Sequence, residues 1–322
     1  MIKGKKIVII GGTGALGKAL IEKYYYHNKK IVVFSRDEHK HVDLLKKYNK
    51  LESHLGDIRD KDSIRNCFEK HKPDIVINTA ALKHVPICET NSMESVKTNI
   101  LGHQNVIETM REFKDIETLI FISTDKACKP INIYGMCKAI SEKLYSNYAE
   151  TETDTKVVMV RYGNVLESTG SVIPYFKKLL EEHSDFLPIT HPDMTRFLIT
   201  LDAAVELIDW AYHHPSTHGK IVVPKIKSMK MIDLANCLIR SCESDMGFLS
   251  LGEVELKIVG IRPGEKLHEE MISEEEWFRT EDDENYLINN HHVNSDTWSY
   301  NSKDTLMGKE EAYKFLEDSG VI

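Results

Sequence analysis

The stretch Ile7-Val-Ile-Ile-Gly-Gly-Thr-Gly-Ala-Leu-Gly17 decides the fold of this chain. Its first four residues are apolar and predict a short buried strand. Three glycines then follow in a G-x-x-G-x-x-G spacing, and the sequence of 15–26 predicts a helix that starts within this turn. Glycine lets the backbone approach a ligand closely, and a helix N-terminus attracts phosphate. This order predicts a dinucleotide site, with a glycine-rich turn that binds no ligand as the alternative. The residues expected to contact the dinucleotide here are Gly11, Thr13, Gly14, Ala15, Leu16 and Gly17.

Short apolar strands alternate with helices through the first half of the chain. The predicted strands are 31–34, 74–78, 118–123 and 156–161, and the predicted helices are 38–48, 91–113 and a segment that carries Tyr134 and Lys138. Such alternation is typical of a parallel sheet with helices on both faces. We therefore expect an α/β fold built on a doubly wound parallel sheet.

The pattern changes after Asn164, where six prolines interrupt a mixed region. A strand is predicted at 221–223 and a helix at 231–242. We expect this region to form a smaller lobe over the carboxyl edge of the sheet. The expected organisation is a dinucleotide-binding Rossmann domain over 1–165 to which 195–215 returns, an interleaved substrate-binding lobe of mixed α/β structure over 166–290, and a C-terminal extension over 291–322 with a short helix at 309–318.

Composition and charge argue against several classes of function. The chain is 41% hydrophobic and 29% charged, which is ordinary for a globular protein, and its net charge of -8 disfavours a nucleic-acid surface. No apolar run approaches the roughly 20 residues that a membrane helix needs. The basic and then apolar start, 1–10, is interpreted as a strand because it leads into the glycine-rich turn without a signal-peptide cleavage site. We expect a cytoplasmic protein with no nucleic-acid or membrane partner.

Cysteine, histidine and acidic residues show no recognisable functional pattern. The six cysteines include no Cys-x-x-Cys pair, and the fifteen histidines include no His-Glu-x-x-His motif, so no metal is expected. The cysteines are predicted to be buried free thiols, and the histidines, including the pairs 213–214 and 291–292, to lie on the surface or in loops. Cys128 is interpreted as a packing residue, with a redox-sensitive thiol as the alternative. The acidic runs 274–276 and 281–284 are predicted to be solvated.

The segments Ser123-Thr-Asp-Lys-Ala127 and Tyr134-Gly-Met-Cys-Lys138 carry the candidate chemistry. Tyr134 and Lys138 are four apart and share one face of a helix. An ammonium beside a phenol favours the phenolate, so Lys138 is expected to lower the pKa of Tyr134 and make it a base. Asp125 and Lys126 form a second acid/base pair. The alternatives are a half-buried tyrosine, a surface lysine, and an aspartate that caps a turn or forms a structural ion pair with Lys126.

The end of the second strand predicts which dinucleotide binds. Ser35 and Arg36 place a hydroxyl and a guanidinium where an NAD site usually has a carboxylate, and these groups suit a 2′-phosphate. We expect NADP, although the next residue, Asp37, would partly restore NAD binding. Asp57 and Ile58 are predicted to flank the adenine, with a surface turn as the alternative.

These motifs resemble those of the extended short-chain dehydrogenase/reductases, and more narrowly of the UDP-N-acetylglucosamine 4,6-dehydratases that invert C5. The resemblance extends from about residue 6 to about residue 290. Its specific element is the Asp125-Lys126 pair, because 4,6-dehydratases that retain the C5 configuration have Asp-Glu there and simple epimerases lack the pair. The other matching segments are 11–17, 34–38, 80–86, 123–127, 134–138, 161–165, 194–197 and 262–269.

The resemblance implies a mechanism. Tyr134, assisted by Lys138 and Thr124, would remove the C4 hydroxyl proton while the C4 hydride passes to a tightly bound NADP⁺. Lys126 would then remove the C5 proton, and Asp125 would protonate the departing C6 hydroxyl. Hydride return to C6 and protonation of C5 from the opposite face would give UDP-2-acetamido-2,6-dideoxy-L-arabino-hexos-4-ulose and regenerate the cofactor. Lys126 has to be neutral, so the site is expected to lower its pKa.

The resemblance also implies contacts and assembly. It places Ala80 and Ala81 at the cofactor, adds Lys126 and Tyr134 to the substrate contacts, and predicts a homo-oligomer, either a hexamer or a dimer. Thr169 departs from the pattern, because many relatives have arginine there. Arg262 is alternatively a surface arginine and Asn164 a turn residue. The further predicted UDP-sugar contacts are Lys83, Asn164, Val172, Thr190, Arg262 and Glu265.

Two other functions remain open at this point. A sugar-nucleotide 4-epimerase or ketoreductase would need only Tyr134 and Lys138. A non-catalytic NADP-sensing scaffold would keep the glycine-rich turn without needing either proton-transfer pair.

Overall fold

The computed structural model describes residues 1–151, 154–168, 170–245, 254–289 and 294–322. Its strands are β1 (Lys6–Ile10), β2 (Lys30–Ser35), β3 (Glu52–Leu55), β4 (Ile75–Asn78), β5 (Thr118–Ile122), β6 (Lys156–Val160), β7 (Asn164–Val165), β8 (Phe186–Ile189), β9 (Thr195–Ile199), β10 (Lys220–Pro224), β11 (Ser228–Lys230), β12 (Glu255–Ile258), β13 (Glu270–Ile272), β14 (Thr280–Asp282), β15 (Tyr286–Asn289) and β16 (Tyr300–Asn301). Its α-helices are α1 (Ala15–Tyr24), α2 (Glu38–Lys47), α3 (Lys61–His71), α4 (Val85–Thr90), α5 (Ser92–Val96), α6 (Gly102–Met110), α7 (Ile133–Thr151), α8 (Val172–Glu181), α9 (Leu201–His213), α10 (Met231–Asp245), α11 (Glu274–Trp277) and α12 (Lys309–Asp318). A π-helical turn covers Lys97–Leu101, and 3-10 turns cover Asp125–Ala127 and Pro215–Thr217.

Nine strands of the described ranges form the main sheet, in the order β14-β15-β10-β6-β5-β4-β1-β2-β3. Seven neighbouring strands of this sheet, β10, β6, β5, β4, β1, β2 and β3, are parallel to one another. At the other edge β15 pairs antiparallel with β10, and β14 pairs antiparallel with β15. The predicted doubly wound parallel sheet is therefore confirmed.

Helices cover both faces of this sheet because its central strands are apolar on both sides. In β1, Ile7 and Ile9 belong to one core cluster, while Val8 and Ile10 belong to the other. The first cluster includes side chains of α1 and α9, and the second includes side chains of α3, α6 and α7. Each such side chain contributes about 1.5–3 kcal/mol when it is fully buried.

The strand order reverses at β1, which lies between β2 and β4. At such a switch point the connections leave toward opposite faces of the sheet and open a crevice at the carboxyl ends of the strands. The predicted site residues that come directly after β1, β2, β4 and β5 all lie along this edge of the sheet.

A second lobe, drawn from the later part of the chain, lies over that edge. Its core packs side chains of α8, α10 and α12 together, with β8 and β12 pairing as a small parallel ribbon. The C-terminal helix at 309–318 has the predicted bounds and packs against α10. The predicted interleaving consisted of the return of 195–215 to the first domain. The two parts of the chain interleave further, because β10, β14 and β15 also join the main sheet.

Most of the predicted elements occur within a few residues of their expected bounds, but several helices, among them α3, α8 and α9, were not predicted. Helix α3 shows why. Its sequence is largely charged, and its buried side chains are confined to Ile64, Cys67, Phe68 and His71. Asp60, whose side chain accepts hydrogen bonds from the amides of residues 62 and 63, caps its start. The cap and the i, i+3, i+4 spacing were the available signals.

Two expectations about polar residues are wrong. Glu276, in the acidic run 274–276, is not solvated but pairs with the buried Arg161. Three histidines, His41, His71 and His103, are buried in the Rossmann domain. Glutamate and histidine side chains become buried where another side chain pairs with them or forms a hydrogen bond. The periodicity of the sequence does not reveal that other side chain.

Other expectations are met or fall outside the described residues. All six cysteines are described and none is in a disulfide; five are buried, including Cys128, and Cys242 is half-buried. Among the described helices, none has the length and apolar character required to cross a bilayer. Thr169 and the pair 291–292 lie outside the described residues.

Candidate active site

One cleft of roughly 1550 Å³ runs between the carboxyl edge of the main sheet and the second lobe. The predicted site residue that does not line it is Asp125, whose side chain is fully buried beside Lys126. Residues far apart in the sequence thus share one surface. The predicted residues that line the cleft are Gly11, Thr13, Gly14, Ala15, Leu16, Gly17, Ser35, Arg36, Asp57, Ile58, Ala80, Ala81, Lys83, Thr124, Lys126, Tyr134, Lys138, Asn164, Val172, Thr190, Arg262 and Glu265.

The glycine-rich turn at one end of the cleft follows β1 and opens α1. Gly11 has a φ of 80°, and a Cβ there would lie 2.7 Å from the backbone nitrogen of Ala80, so glycine is required. Gly14 caps α1 without a side chain, which leaves the first amide groups of the helix available to a ligand. This open, positively polarised backbone suits a pyrophosphate.

Beyond the turn, the side chains of Ser35 and Arg36 differ in how strongly their hydrogen bonds and ion pairs hold them in place. Ser35 Oγ forms hydrogen bonds with Thr13 Oγ1 at 3.0 Å and with His41 Nε2 at 2.8 Å. The Arg36 side chain is 53% exposed and lies 3.5 Å from Asp57. The serine is therefore held in a local network, while the guanidinium can turn toward an anion in the cleft.

The two aspartates near this end have local partners. Asp37 caps α2 by accepting a hydrogen bond from the Lys40 amide at 3.2 Å, and it also pairs with the Lys40 ammonium at 2.8 Å. Burial tends to raise the pKa of Asp57, but hydrogen bonds from Arg59 outweigh it and lower the pKa. Asp57 therefore belongs to a charged turn and, with Ile58, also lines the cleft.

Helix α7 presents Tyr134 and Lys138 on one buried face, as the spacing predicts. At the helix start, Asn132 Oδ1 accepts a hydrogen bond from the Gly135 amide at 2.8 Å. A Cβ on Gly135 would lie 2.2 Å from the Lys126 carbonyl oxygen, so the helix packs directly on the turn that contains Lys126. This contact brings the two predicted proton-transfer pairs together.

The pKa expected for Tyr134 is wrong for the protein in this form. Burial raises the pKa of Tyr134 to about 12, although Lys126 and a hydrogen bond with Thr124 lower it in part. Lys138 Nζ instead donates a hydrogen bond to the Ile122 carbonyl at 2.7 Å and lies 4.4 Å from the centre of the Phe121 ring. Burial lowers the pKa of Lys138 to about 7.

The pKa expected for Lys126 is wrong as well. Its Nζ lies 3.0 Å from Asp125 Oδ1, 3.5 Å from Glu269 Oε1 and 3.3 Å from Asn164 Oδ1. Burial would lower the pKa of Lys126, but the two carboxylates outweigh it and raise the pKa. Burial in turn raises the pKa of Asp125. The isolated site holds Lys126 as an ammonium.

Glu269 is the main site residue that sequence reasoning missed. It lines the cleft, and its side chain is only 3% exposed. Arg196 Nε lies 3.9 Å from it and Lys266 Nζ 3.6 Å. The residue ends the matched segment 262–269, and that position was the only sequence signal available for it.

A buried cluster of charged side chains lies next to the site. The Arg161 guanidinium lies 2.7 Å from Glu142 of α7 and 2.8 Å from Glu276 of α11. Ser123 at the end of β5 donates a hydrogen bond to Glu142 at 2.5 Å. Burial would raise the pKa of Glu276, but Arg161 outweighs it and lowers the pKa to about 2. The cluster joins α7 to α11.

The loop after β4 is fixed by a side chain from the π-helical turn. Asn99 accepts a hydrogen bond from the Leu82 amide at 2.9 Å and donates one to the Leu82 carbonyl at 2.8 Å. The Asn99 carbonyl in turn accepts a hydrogen bond from Ser141 of α7. The neighbouring Lys83 lines the cleft, and burial lowers its pKa.

The turn that carries Arg262 and Glu265 closes the cleft from the second lobe. The guanidinium pairs with Glu265 through contacts of 3.0 and 2.5 Å. Asn132, which also caps α7, donates a hydrogen bond to the Gly264 carbonyl at 2.8 Å. The same asparagine thus joins α7 to this turn.

Comparisons with known sequences give a consistent family. A family model described as polysaccharide biosynthesis protein matches residues 7–291. A UDP-N-acetylglucosamine 4,6-dehydratase (inverting) of Campylobacter jejuni is 42% identical over 295 residues, which cover 89% of this chain and 83% of the relative. A protein of Rickettsia felis named UDP-glucose 4-epimerase is 38% identical over 291 residues, which cover 88% of this chain and 82% of the relative.

A solved structure extends the similarity to the whole fold. The X-ray structure of Pen from Bacillus thuringiensis superimposes with a TM-score of 0.90 at 30% identity, covering 98% of each chain. Both lobes therefore have counterparts in that protein.

Proposed function

This chain belongs to the polysaccharide biosynthesis protein family, and we propose that it is an NADP-dependent UDP-N-acetylglucosamine 4,6-dehydratase that inverts C5. The observation that carries the proposal is the 3.0 Å contact between Lys126 Nζ and Asp125 Oδ1 beside the cleft that Tyr134 lines. Two proton-handling sets at one cleft suit removal of water as well as oxidation. The product would be UDP-2-acetamido-2,6-dideoxy-L-arabino-hexos-4-ulose, on a route to a deoxy amino sugar of a surface glycan.

The proposed cofactor is tightly bound NADP, which each turnover regenerates. The fit of the turn at Gly11 to a pyrophosphate supports a nicotinamide dinucleotide. The exposed guanidinium of Arg36 supports the 2′-phosphate form, and the use of Asp37 as a helix cap leaves its carboxylate less available to a ribose. When bound, the nicotinamide ring would take up the C4 hydride and return it at C6.

Tyr134 would accept the proton of the C4 hydroxyl. Its phenol starts protonated because burial holds its pKa at about 12. Thr124 and the nearby positive charge of Lys126 favour the phenolate. Lys138, fixed by the Ile122 carbonyl, would add to this effect whenever it is charged.

Asp125 and Lys126 would exchange one proton between them. As an ammonium, Lys126 cannot remove the C5 proton. Transfer of a proton across their 3.0 Å contact gives an amine and a carboxylic acid, the two forms that elimination needs. Burial favours this neutral pair, and Glu269 raises the pKa of both groups, which keeps their shared proton on the pair. Because Asp125 does not line the cleft, its proton would reach the C6 hydroxyl through Thr124, which lies 3.0 Å away and does line it.

A sugar-nucleotide 4-epimerase or ketoreductase is the second candidate. The similarity to the Rickettsia felis protein named UDP-glucose 4-epimerase favours it. Such an enzyme would use Tyr134 and Lys138 and leave Lys126 without a catalytic role. A non-catalytic NADP-sensing scaffold has no comparable observation in its favour.

The deciding experiment incubates the purified protein with UDP-N-acetylglucosamine in heavy water and follows the product by mass spectrometry and NMR. We expect loss of water, one deuterium at C5 and inverted C5 configuration. Lys126→Ala should lower turnover by a factor of about 10²–10⁴, the usual contribution of one acid/base group. The exposed neighbouring variant Lys129→Ala is the matched control and should keep its activity.

Other results would identify the alternatives. Inversion at C4 without loss of water, retained in Lys126→Ala, would indicate an epimerase. Reduction of a UDP-4-keto sugar by added NADPH, with no reaction of UDP-N-acetylglucosamine, would indicate a ketoreductase. Neither a mass change nor a change of configuration with any of several UDP-sugars would indicate the scaffold.

A homo-oligomer, dimer or hexamer, is proposed as the working form. Helix α7 and the segments beside it expose apolar side chains of a kind that copies of a chain commonly bury against each other. Met136 and Ile140 are one helical turn apart and 43% and 47% exposed. The other exposed apolar residues of this region are Ile87, Met93, Leu101 and Ile131.

A further inference from the structure

Three potential metal ligands converge between β3 and α3, outside the catalytic cleft. Cys67 and His71 are four residues apart on α3, so their side chains share one helix face. His54 on β3 meets them there. One ligand atom from each of the three residues lies within 4.8 Å of the other two. Among the residues described, no other three His, Cys, Asp or Glu side chains approach one another in this way.

The surroundings of His71 prepare one of its nitrogens for a ligand role. Its Nδ1 lies 2.9 Å from Glu52 Oε2, and its ring is 1% exposed. A carboxylate on Nδ1 favours the tautomer that carries the proton there, so that Nε2 offers its lone pair. That Nε2 forms a hydrogen bond with His54 Nδ1 at 3.2 Å, which a metal ion between the two nitrogens would replace. A carboxylate behind a ligating histidine is a common feature of zinc sites.

We propose that His54 Nδ1, Cys67 Sγ and His71 Nε2 bind one Zn²⁺ ion, with water at the fourth position. Zinc bonds of about 2.0–2.3 Å in tetrahedral geometry place neighbouring ligand atoms roughly 3.3–3.7 Å apart. The two histidine nitrogens already have nearly this separation, at 3.2 Å. The group as a whole spans at most 4.8 Å, so the ligands have to close by no more than about 1.5 Å. Imidazole and thiolate are ligands that zinc prefers over harder cations.

The charges and the path to the site are compatible with this ion. On binding, Cys67 and His54 Nδ1 each release a proton to solvent. The resulting thiolate neutralises one of the two charges of the ion, and Glu52, which also pairs with Lys30 at 2.8 Å, lies behind His71. His54 is half-buried and provides the route of entry, whereas Cys67 and His71 are buried.

The site would clamp β3 to α3 beside the cofactor end of the cleft. His54 stacks on Phe34, with ring centres 5.7 Å apart, and Phe34 lines the cleft. The inference does not depend on the proposed sugar chemistry, because its test measures metal binding and not turnover. It also differs from the expectation that the chain holds no metal.

The test uses the full chain, stripped with a chelator, kept reduced and titrated with Co²⁺ and then Zn²⁺. We expect one equivalent of Co²⁺ to give tetrahedral ligand-field bands and a thiolate-to-cobalt charge-transfer band, which Zn²⁺ then removes. Zn²⁺ at about 100 times its Kd should raise the Tm by about 5 °C. Cys67→Ser should abolish the charge-transfer band, whereas Cys237→Ser, a buried thiol in the second lobe, should keep it.

Two further variants keep the test decisive if Cys67→Ser does not fold. His54→Gln changes a half-buried ligand and should weaken Zn²⁺ binding at least tenfold. Glu52→Gln should weaken it about tenfold while leaving the thiolate band in place, because Glu52 acts through His71. A folded, reduced wild-type protein without the thiolate band would overturn the proposal, and so would a band that persists in Cys67→Ser. Cobalt spectra with nitrogen and oxygen ligands alone would mean adventitious surface binding and would overturn it as well.

Discussion

At the scale of single residues, Lys126 has to act as a base while two carboxylates hold its proton. Asp125 and Glu269 lie 3.0 and 3.5 Å from its ammonium and raise its pKa. The two carboxylates have different roles in our account. Asp125 exchanges a proton with Lys126, whereas Glu269 raises the pKa of both groups and so keeps their shared proton on the pair. Activity at high pH should therefore depend on Glu269.

Glu269→Gln should move the pH–rate profile in a defined direction. Elimination needs the one proton that Asp125 and Lys126 share, so the rate should fall as the pH rises and the pair loses this proton. Since Glu269 raises the pKa of both groups, its removal should shift the falling limb of kcat to lower pH by about one unit. Profiles of deuterium entry at C5 measure this shift. Glu270→Gln, which changes a carboxylate paired with Lys129, is the control, and an unmoved limb in Glu269→Gln would contradict the assignment.

Arg36→Ala should change cofactor preference. A charge-assisted contact to a 2′-phosphate contributes about 1.5–3 kcal/mol, so the Kd for NADP should rise about 10- to 150-fold while the Kd for NAD changes little. Fluorescence titration of the stripped protein with each dinucleotide measures both constants. Arg65→Ala, on the outer side of α3, should leave both unchanged. Equal weakening of NADP and NAD would show that Arg36 does not read the phosphate.

At the scale of elements, α7 is held by contacts at its start and at its middle. Asn132 caps it, Ser141 bonds to the π-helical turn, and Glu142 joins the Arg161 cluster. These contacts position the face that carries Tyr134 and Lys138. The Arg161 cluster also includes Glu276 of α11, so α7 and α11 are fixed to the same guanidinium.

The ion pair of Glu276 should make this junction sensitive to acid. Its pKa is about 2 in the folded protein against an ordinary value of 4.5, so the pairing stabilises the fold above pH 4.5 and is lost as pH falls toward 2. The shift corresponds to about 3 kcal/mol, which Glu276→Gln should remove from the free energy of unfolding at pH 7. Urea unfolding at several pH values measures both proteins.

The difference between wild type and Glu276→Gln should narrow as the pH falls below 4.5. Glu274→Gln, an exposed carboxylate in the same short helix, is the control and should change stability by less than about 0.5 kcal/mol. A constant difference across this pH range would show that the carboxylate charge is not what stabilises the junction.

At the scale of the whole molecule, two interleaved lobes make the cleft. Strands from the later chain complete the main sheet, and the C-terminal helix completes the core of the second lobe. The apolar surface of α7 faces away from both cores and is the place where a second copy of the chain would pack.

Met136→Glu combined with Ile140→Glu should therefore reduce the oligomer to a smaller species. Burying two carboxylates in an apolar interface is strongly unfavourable, so the mass from light scattering should fall while the circular dichroism spectrum is kept. Tyr26→Glu, an 84% exposed residue at the end of α1, is the control and should not change the mass. An unchanged oligomer in the double variant would place the interface elsewhere.

The sequence alone determined the strand, turn and helix around Gly11, the alternation that predicts a doubly wound sheet, and the face shared by Tyr134 and Lys138. These features are local, since apolar periodicity and glycine spacing act over a few neighbouring residues. The positions of the chemically important groups follow from them because parallel strands end at one edge of the sheet.

Only the tertiary structure decided the charge state of Lys126, the role of Glu269 and the burial of Glu276. Each depends on a partner that is distant in sequence and close in space, and Coulomb interaction depends on the distance and burial that folding creates. The grouping of His54 with Cys67 and His71 has the same origin, because a strand and the following helix must pack before the three side chains meet. Local sequence pattern therefore decided which residues are candidates for the site. Packing decided the protonation state of each of them and which side chains lie next to it.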